Sequence, residues 1–185
     1  MTDPDEIILE SERLLITPPR EKDAADLARI SSHPLIKKNI FTCPKNENEA
    51  KIMISTMMMW WDIDFSHVFV FRLKDTGRLV GTAGVNEINR RHMKAILAYW
   101  CDVDHWGKGY TSEAVTRLID YCFDDLELNR VEASCFTSNP ASARVMENAG
   151  MSLEYISRHH YRKDGDFHDA WHYAILRSDR EPCKS

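Results

Sequence analysis

The fold is decided by the stretch Asp102-Val-Asp-His-Trp-Gly-Lys-Gly-Tyr-Thr-Ser-Glu-Ala114. A run rich in strand formers precedes it from Ala95 to Val103, and apolar residues at helical spacing follow it from Val115 to Phe123. We therefore expect a strand to turn into a helix around Gly107 and Gly109. Glycine lets the backbone approach a ligand closely, and the first turn of a helix offers unpaired N–H donors and a positive dipole end. Such a turn is typical of a phosphate or pyrophosphate site.

The loop lacks the sequence patterns of two common nucleotide-binding sites, which limits the kinds of phosphate ligand it could bind. It has no Gly-Lys-Ser/Thr ending of a Walker loop and no dinucleotide Gly-x-Gly-x-x-Gly pattern. A nucleotide-binding protein that uses the loop for ATP or NAD is therefore disfavoured. Lys108 adds a positive charge to the loop, unless its stem points into solvent. Taken alone, the loop is also compatible with an ordinary strand-to-helix turn.

The run from Trp106 to Ala114 resembles the acyl-CoA loop of the GNAT N-acetyltransferases, and in particular the branch that acetylates the N-termini of ribosomal proteins. The family pattern is Gln/Arg-x-x-Gly-x-Gly/Ala, so Trp106 and Thr111 depart from it while Gly109 keeps the glycine place. These departures matter little if backbone amides bind the phosphates. The resemblance implies an acetyl-CoA site formed by Asp102, Val103, Trp106, Gly107, Lys108, Gly109, Tyr110, Thr111, Ser112, Asn139 and Ser142.

A second block, Thr137 to Met151, resembles the family's Asn-x-x-Ser…Gly-Phe segment. It reads as a well-delimited helix, because Asn139 suits the N-cap and Gly150 suits a left-handed C-cap. The resemblance implies that Asn139 contacts the pantetheine arm or lines the cleft, and that the Ser142 hydroxyl meets the CoA sulfur. From the residues themselves, helix capping alone remains an equal interpretation of both side chains.

The order of elements predicts an α+β fold, with a mixed, mostly antiparallel central sheet of about seven strands and about four helices, as in GNAT proteins. We expect a single domain over residues 1–185, with the first few and about the last eight residues frayed. The segment between Pro34 and Pro44 reads as irregular and Asn86 to Lys94 as a surface loop. The expected helices are Glu21–Ser32, Asn46 or Asn48 to Trp61, and those following the two motifs; the expected strands are Arg13–Pro18, Val68–Leu73, Leu79–Val85, Ala95–Val103, Val131–Phe136, Leu153–Tyr161 and Phe167–Leu176.

Composition sets the broad class of the protein. The chain has 185 residues, 43% of them hydrophobic, and no run approaches the ~20 apolar residues of a membrane helix. Its five scattered cysteines form no disulfide framework, which favours a reducing, cytoplasmic setting. The net charge of −5 argues against nucleic-acid binding and favours a cationic acceptor such as an amine.

The resemblance implies acetyl transfer from acetyl-CoA to a primary amine by direct attack in a ternary complex, with a ribosomal-protein-type α-amine as acceptor. A small amine (a polyamine, amino acid or antibiotic) and a non-catalytic acyl-CoA-binding domain are the alternatives. An α-amine has a pKa near ~8, against ~10.4 for lysine, and is the easier nucleophile at neutral pH. The family takes an oxyanion donor from a central-strand amide, which here falls near Asp102 or Val103.

The proton donor to the leaving thiolate is assigned to Ser142, with Tyr155 and Tyr161 as alternatives because a phenol also donates. No cysteine has the histidine and third group that an acyl-enzyme nucleophile needs. Many relatives place a glutamate just before the central strand, but Ile96 stands there in this chain. A second glutamate position of the ribosomal-protein branch aligns with Tyr161.

The general base is therefore open. Glu87 ranks first by its place near the end of a strand facing the cleft, although a solvated loop carboxylate is its more ordinary role. His92 and Asp102 are further options. His168 and His172 are four apart on an expected strand rather than a helix, so we expect no metal site. The cluster from Met57 to Trp61 reads first as core packing, or as a face that contacts a second subunit or covers the cleft. We expect a monomer or a homodimer.

Overall fold

The structure is a computed structural model that describes residues 7–180, so the expected fraying of the first few and last few residues lies largely outside it. This described part contains five α-helices and eight strands. The helices are α1 (Ala24–Ser31), α2 (Pro34–Lys37), α3 (Glu47–Asp62), α4 (Tyr110–Asp124) and α5 (Pro140–Asn148). The strands are β1 (Leu9–Glu10), β2 (Leu14–Thr17), β3 (His67–Leu73), β4 (Leu79–Asn89), β5 (Lys94–Cys101), β6 (Arg130–Phe136), β7 (Ser152–Lys163) and β8 (Asp166–Leu176).

All eight strands belong to one sheet in the order β1-β2-β3-β4-β5-β6-β8-β7. Every neighbouring pair is antiparallel except β5 and β6, which are parallel and are joined by the crossover helix α4. The predicted mixed, mostly antiparallel α+β fold is therefore confirmed. The extra strand is β1, whose two residues are too few to show a periodic pattern.

The extra helix is α2, which lies in the segment that we expected to be irregular. Pro34 occupies its first position, where a missing N–H costs nothing. The ring of His33 accepts the N–H of Leu35 at 3.2 Å and so caps the turn. The four residues of α2 are too few to show a helical repeat in the sequence.

The core lies on both faces of the sheet. Phe69 and Phe71 point to the face covered by α4, where Leu118 and Ile119 are fully buried. Val70 points to the opposite face, which α1 and α3 cover. This alternation is the period-two pattern of a strand buried on both sides. Within residues 7–180, none of the helices combines the length and apolar character needed to cross a membrane.

The strand boundaries around the central strand differ from expectation. β4 runs on to Asn89 through an irregularity between Asn86 and Asn89, where Glu87 has a positive φ of 50°. β5 ends at Cys101, two residues earlier than expected, and a 3-10 turn follows from Val103 to His105. The extra residue of such a bulge shifts the alternation of side chains between the two faces of the sheet, and the period of the sequence does not show where that shift occurs.

Candidate active site

A gap between β5 and β6 forms the centre of the site. The parallel pairs end at Leu97 and Ala133, although β5 continues to Cys101 and β6 to Phe136. Over those last residues β6 stays paired with β8, so its other edge faces the gap. Unpaired strand edges offer a ligand both N–H donors and C=O acceptors. The gap opens into a cavity of about 1290 Å³, large enough for two substrates together.

The loop before α4 forms one end of this cavity. Gly107 and Gly109 have positive φ values of 73° and 81°, conformations that L-residues rarely adopt. A Cβ at Gly107 would meet nothing within 4 Å, so the backbone angle rather than space selects glycine there. The turn points the first residues of α4, Tyr110 to Ser112, at the cavity, which they line together with Gly107 and Gly109. Their N–H groups and the 15-residue helix dipole suit a pyrophosphate.

Two neighbours of these glycines are held by their own hydrogen bonds. The indole Nε1–H of Trp106 donates to the Cys101 carbonyl at 2.9 Å, which ties the loop to the end of β5. The Lys108 ammonium donates to the Asp104 carbonyl at 2.9 Å, and Lys108 does not line the cavity. The geometry therefore presents backbone amides rather than the lysine charge to the cavity.

A brace on the outer side of the loop was not foreseen from the sequence, where Glu113 reads as a favourable charge at a helix N-terminus. Glu113 accepts hydrogen bonds from the Ser11 hydroxyl, the Arg13 backbone N–H and the Arg13 Nε, each at 2.7 Å. The Arg13 guanidinium also donates to the Lys108 carbonyl at 3.1 Å and lies 4.5 Å from the ring centroid of Tyr110. Burial raises the pKa of Glu113, but the Ser11 and Arg13 hydrogen bonds outweigh it and hold that pKa below its ordinary value.

At the middle of the cavity, Ser142 meets a residue that the sequence did not single out. Asn139 caps α5 as predicted, with its side-chain oxygen accepting the Ser142 N–H at 3.3 Å. The Tyr99 hydroxyl lies 2.9 Å from the Ser142 carbonyl and 3.0 Å from the Ser142 Oγ. Burial raises the pKa of Tyr99, so its phenol keeps its proton at all physiological pH values. Tyr99 and Ser142 thus form a hydroxyl pair able to deliver a proton into the gap.

Two thiols lie along the same gap. Burial raises the pKa of Cys135 and of Cys101 to about 11 each. A thiol with that pKa carries very little thiolate near neutral pH and is a poor nucleophile. Cys43, Cys101, Cys122 and Cys135 are all free cysteines.

The alternative acid and base residues do not all reach the cavity. The Tyr161 hydroxyl is 2.6 Å from Ser134 Oγ, and Tyr161 lines the cavity. Tyr155 is 54% exposed and stacks on His172 outside it. Glu87 and His92 are exposed and are not part of the cavity wall.

Asp102 and Val103 also lie outside the cavity wall. The Asp102 N–H donates to the Val80 carbonyl at 2.8 Å, so it is occupied within the sheet. The Asp102 carboxylate is buried beside Arg29, 3.2 Å away. Burial raises its pKa, but hydrogen bonds from the Asp104 N–H and from Arg29 leave the pKa lowered overall. Asp102 therefore anchors the loop to the sheet.

The charged groups of the cavity are few. Among residues 7–180, Glu49 is the one carboxylate that lines it, and Lys38 and Arg144 are the cations. His105 also lines it, 7% exposed, with a pKa lowered by burial and by the Arg78 and Lys108 charges. The same residues hold no group of three or more histidines, cysteines or carboxylates that could bind a metal.

A sheet with parted central strands, a helix N-terminus that faces the cavity and a pair of hydroxyl groups are features that an acyl-CoA-dependent transferase can use. A family model described as an acetyltransferase (GNAT) domain matches residues 13–152. The chain therefore belongs to the GNAT acetyltransferase family, and it uses acetyl-CoA as its acyl donor.

Similar proteins agree with this assignment. The chain is 30% identical over 172 residues to an uncharacterized N-acetyltransferase of Bacillus licheniformis, covering 92% of this chain and 97% of the relative. It is 27% identical over 110 residues to the ribosomal-protein-serine acetyltransferase of Escherichia coli, covering 60% of each. The solved structure of Mycobacterium smegmatis RimJ in complex with CoA-disulfide shares the fold, with a TM-score of 0.85, 21% identity and coverage of 91% of this chain and 84% of that one.

Proposed function

We propose that this GNAT acetyltransferase acetylates the N-terminal α-amine of a protein, by direct attack of the amine on acetyl-CoA bound in the same cavity. One observation carries this proposal: a single cavity is lined by the loop at Gly109, the Tyr99–Ser142 pair and the helix α3. The amine and the thioester therefore meet without an intermediate carrier. The similarity to a ribosomal-protein-serine acetyltransferase supports a protein acceptor.

The residues of the gap suit direct transfer better than a covalent enzyme intermediate. Cys135 and Cys101, the thiols nearest the gap, have pKa values raised to about 11 by burial. The Ser142 hydroxyl, whose Oγ lies 3.0 Å from the Tyr99 hydroxyl oxygen, is positioned to protonate the departing thiolate. The amides of Tyr110 to Ser112 would hold the pyrophosphate, and the unpaired edges beyond Leu97 and Ala133 would hold the pantetheine arm.

The scarcity of carboxylates in the cavity supports an α-amine acceptor. At pH 7.4 roughly one fifth of an α-amine with a pKa near ~8 is unprotonated, against about a thousandth of a lysine amine. Glu49 is the one carboxylate among residues 7–180 that lines the cavity, and its Oε2 already accepts the Lys45 N–H at 2.8 Å. An acceptor that supplies its own free base needs little more. The free cysteines support a cytoplasmic location as part of this proposal.

The decisive experiment measures thiol release from acetyl-CoA against a panel of amines. The panel contains peptides with free N-termini, the same peptides blocked at the N-terminus, internal-lysine peptides, polyamines, free amino acids and aminoglycosides. We expect turnover with free N-termini and none with the blocked peptides. Turnover confined to the small amines would refute the protein-acceptor proposal. Acetyl-CoA binding, followed in parallel by thermal shift, without turnover on any amine would favour the acyl-CoA-binding domain instead.

A further inference from the structure

One face of α3 lines the cavity, and of its residues only Met53 also packs against the core. Ala50, Ile54 and Trp61 bury the other face, with exposed fractions of 0%, 5% and 4%. The cavity-lining positions follow helical spacing at i, i+3, i+4, i+7, i+8 and i+11. They are Glu49, Ile52, Met53, Thr56, Met57 and Trp60. The sequence pattern of α3 therefore encodes two faces, one for the core and one for the cavity.

The cavity face of α3 is apolar and open to water. Ile52 is 68% exposed and Trp60 is 36% exposed, although both line the cavity. The segment around α2 adds Leu35 at 52% and Phe41 at 57%. Phe41 extends this surface to Tyr161, whose ring centroid is 5.2 Å away. Large apolar side chains that face a cavity rather than the core mark a binding surface. We call Leu35, Phe41, Ile52, Met53, Met57 and Trp60 the apolar wall.

The charges around the apolar wall do not suit a polycation. Glu49 is the one carboxylate of the cavity in residues 7–180, and it caps the start of α3 through the Lys45 N–H. Lys38 and Arg144 also line the cavity and place two positive charges there. A polyamine or aminoglycoside brings further ammonium groups that would find no carboxylate beyond Glu49 among these lining residues and would meet the two cations. The acceptor therefore carries one amine at the site of transfer.

Neutral hydrogen-bonding groups lie next to the apolar wall. Tyr161 and Ser134 share one hydrogen bond of 2.6 Å, which leaves the second hydroxyl proton of the pair for a ligand. Both residues line the cavity. A hydroxyl donor of this kind fits a peptide carbonyl, which is neutral and accepts hydrogen bonds.

We infer that the acceptor carries a single amine beside an apolar or aromatic body that packs on the apolar wall. This inference rests on the proposed function, which supplies the acetyl-transfer reaction, and it adds the chemical class of the acceptor. For a protein substrate it means apolar residues at the second and third positions of the chain. A small arylalkylamine offers the same chemistry without a peptide, and the experiment separates the two sources.

The test compares kcat/KM for peptides that share an N-terminal alanine and continue with Phe-Leu, Ser-Asn, Glu-Asp or Lys-Lys, beside phenethylamine and spermidine. Burial of one large apolar side chain predicts at least about a tenfold preference for the Phe-Leu peptide over the charged ones. Trp60→Ala and Ile52→Ala should reduce that preference about fivefold to tenfold. Met59→Ala is the matched control, because Met59 is 55% exposed on the same helix and does not line the cavity.

A variant that introduces a negative charge tests whether the apolar wall sets the acceptor preference. Ile52→Glu adds a carboxylate to the apolar wall and should lower kcat/KM for the Phe-Leu peptide while raising it for spermidine. Equal rates for apolar and charged peptides, or spermidine as the best substrate of the unaltered protein, would overturn the inference and leave N-terminal acetylation standing. Phenethylamine turned over well ahead of every peptide would keep the inference and reject the protein acceptor.

Binding is measured in parallel so that an inactive panel still decides the question. Peptide affinity for the CoA-loaded protein is followed by calorimetry with the same variants. Tight binding of the Phe-Leu peptide without turnover would support the apolar wall and reject the proposed reaction. No difference in affinity among the peptides would reject the apolar wall.

Discussion

The brace between Glu113 and Arg13 should hold the loop before α4, the proposed pyrophosphate site, in its observed conformation. Glu113→Ala removes three hydrogen bonds of 2.7 Å to Ser11 and Arg13. Hydrogen bonds to a charged group contribute about 1.5–3 kcal/mol each when buried. The Glu113 side chain is 17% exposed and that of Arg13 is 43% exposed, so solvent screening brings the total to roughly 2–3 kcal/mol. For a domain of this size we expect the melting temperature to fall by about 4–12 °C.

The more diagnostic effect of Glu113→Ala is on the cofactor. Without the brace, Lys108 and Gly109 gain backbone freedom, and fixing one residue again costs about 1–2 kcal/mol. CoA affinity, measured by calorimetry below the melting temperature, should therefore fall about tenfold or more. Arg13→Met should do the same. The double variant should lose less CoA affinity than the sum of the two single losses, because either substitution alone already removes the interaction between the two side chains.

The Lys74–Glu10 pair provides the control for this cycle. It spans 2.7 Å near the same sheet edge but is exposed, and it touches no residue of the loop. Its coupling should be about 0.2–1 kcal/mol, with unchanged CoA affinity. If Glu113→Ala lowered stability while CoA affinity stayed within twofold, the Glu113–Arg13 pair would stabilise the fold without affecting CoA binding, and the predicted effect of the brace on the cofactor would be refuted.

Four further predictions follow from the geometry. Gly109→Ala should weaken CoA binding about tenfold, because an L-residue at φ 81° costs roughly 1–2 kcal/mol. Gly165→Ala is the control: at φ 97° in the β7–β8 turn it should carry similar strain and leave CoA binding unchanged. Ser142→Ala should lower kcat about tenfold to a hundredfold with little change in CoA affinity, and Tyr99→Phe should lower it less; equal kcat values would remove the pair as proton donor. With an α-amine acceptor, kcat/KM should rise with pH and level off above the pKa of the acceptor amine. An acceptor with a lower amine pKa should move the midpoint of this rise to lower pH by the difference between the two pKa values. A midpoint that is the same for both acceptors would indicate a base supplied by the enzyme. Burial lowers the pKa of His67 to about 4, so as the pH falls the unfolded chain binds a proton at this histidine before the folded protein does. The free energy of unfolding should therefore fall by on the order of 3 kcal/mol between about pH 6.5 and pH 4. Urea titrations should show this loss in the unaltered protein and not in His67→Gln.

Local signals in the sequence located much of the fold and of the cofactor loop. The glycines at 107 and 109 sit at a change from period two to period 3.6, and both have the positive φ that such a turn requires. Asn139 and Gly150 mark the ends of α5 in the way their chemistry predicts. These features depend on residues a few positions apart, and short-range patterns are where sequence reasoning is strongest.

The contacts that the sequence did not reveal join distant positions. Tyr99 and Ser142 are 43 residues apart, and Arg13 and Glu113 are 100 apart. Neither pair has a spacing that a helix or strand period would expose. Glu87 illustrates the same limit, because an irregularity in β4 turns a residue near the expected strand end into an exposed position outside the cavity. Local period alone cannot show on which side of a bulge a side chain emerges.

The charge of the whole chain is likewise a poor guide to the charge of the site. The net charge of −5 suggested an acceptor drawn by an acidic surface, whereas the cavity in residues 7–180 is lined by one carboxylate and two cations. Screening over about 8–10 Å confines the field of most surface carboxylates to their own neighbourhood, so the lining groups dominate what a bound acceptor experiences. An amine that must lose its proton before attack also gains from a site that does not stabilise its charged form. Selectivity in this protein should therefore follow from the apolar wall and from the acceptor's own pKa, and a carboxylate placed at Ile52 should change both together.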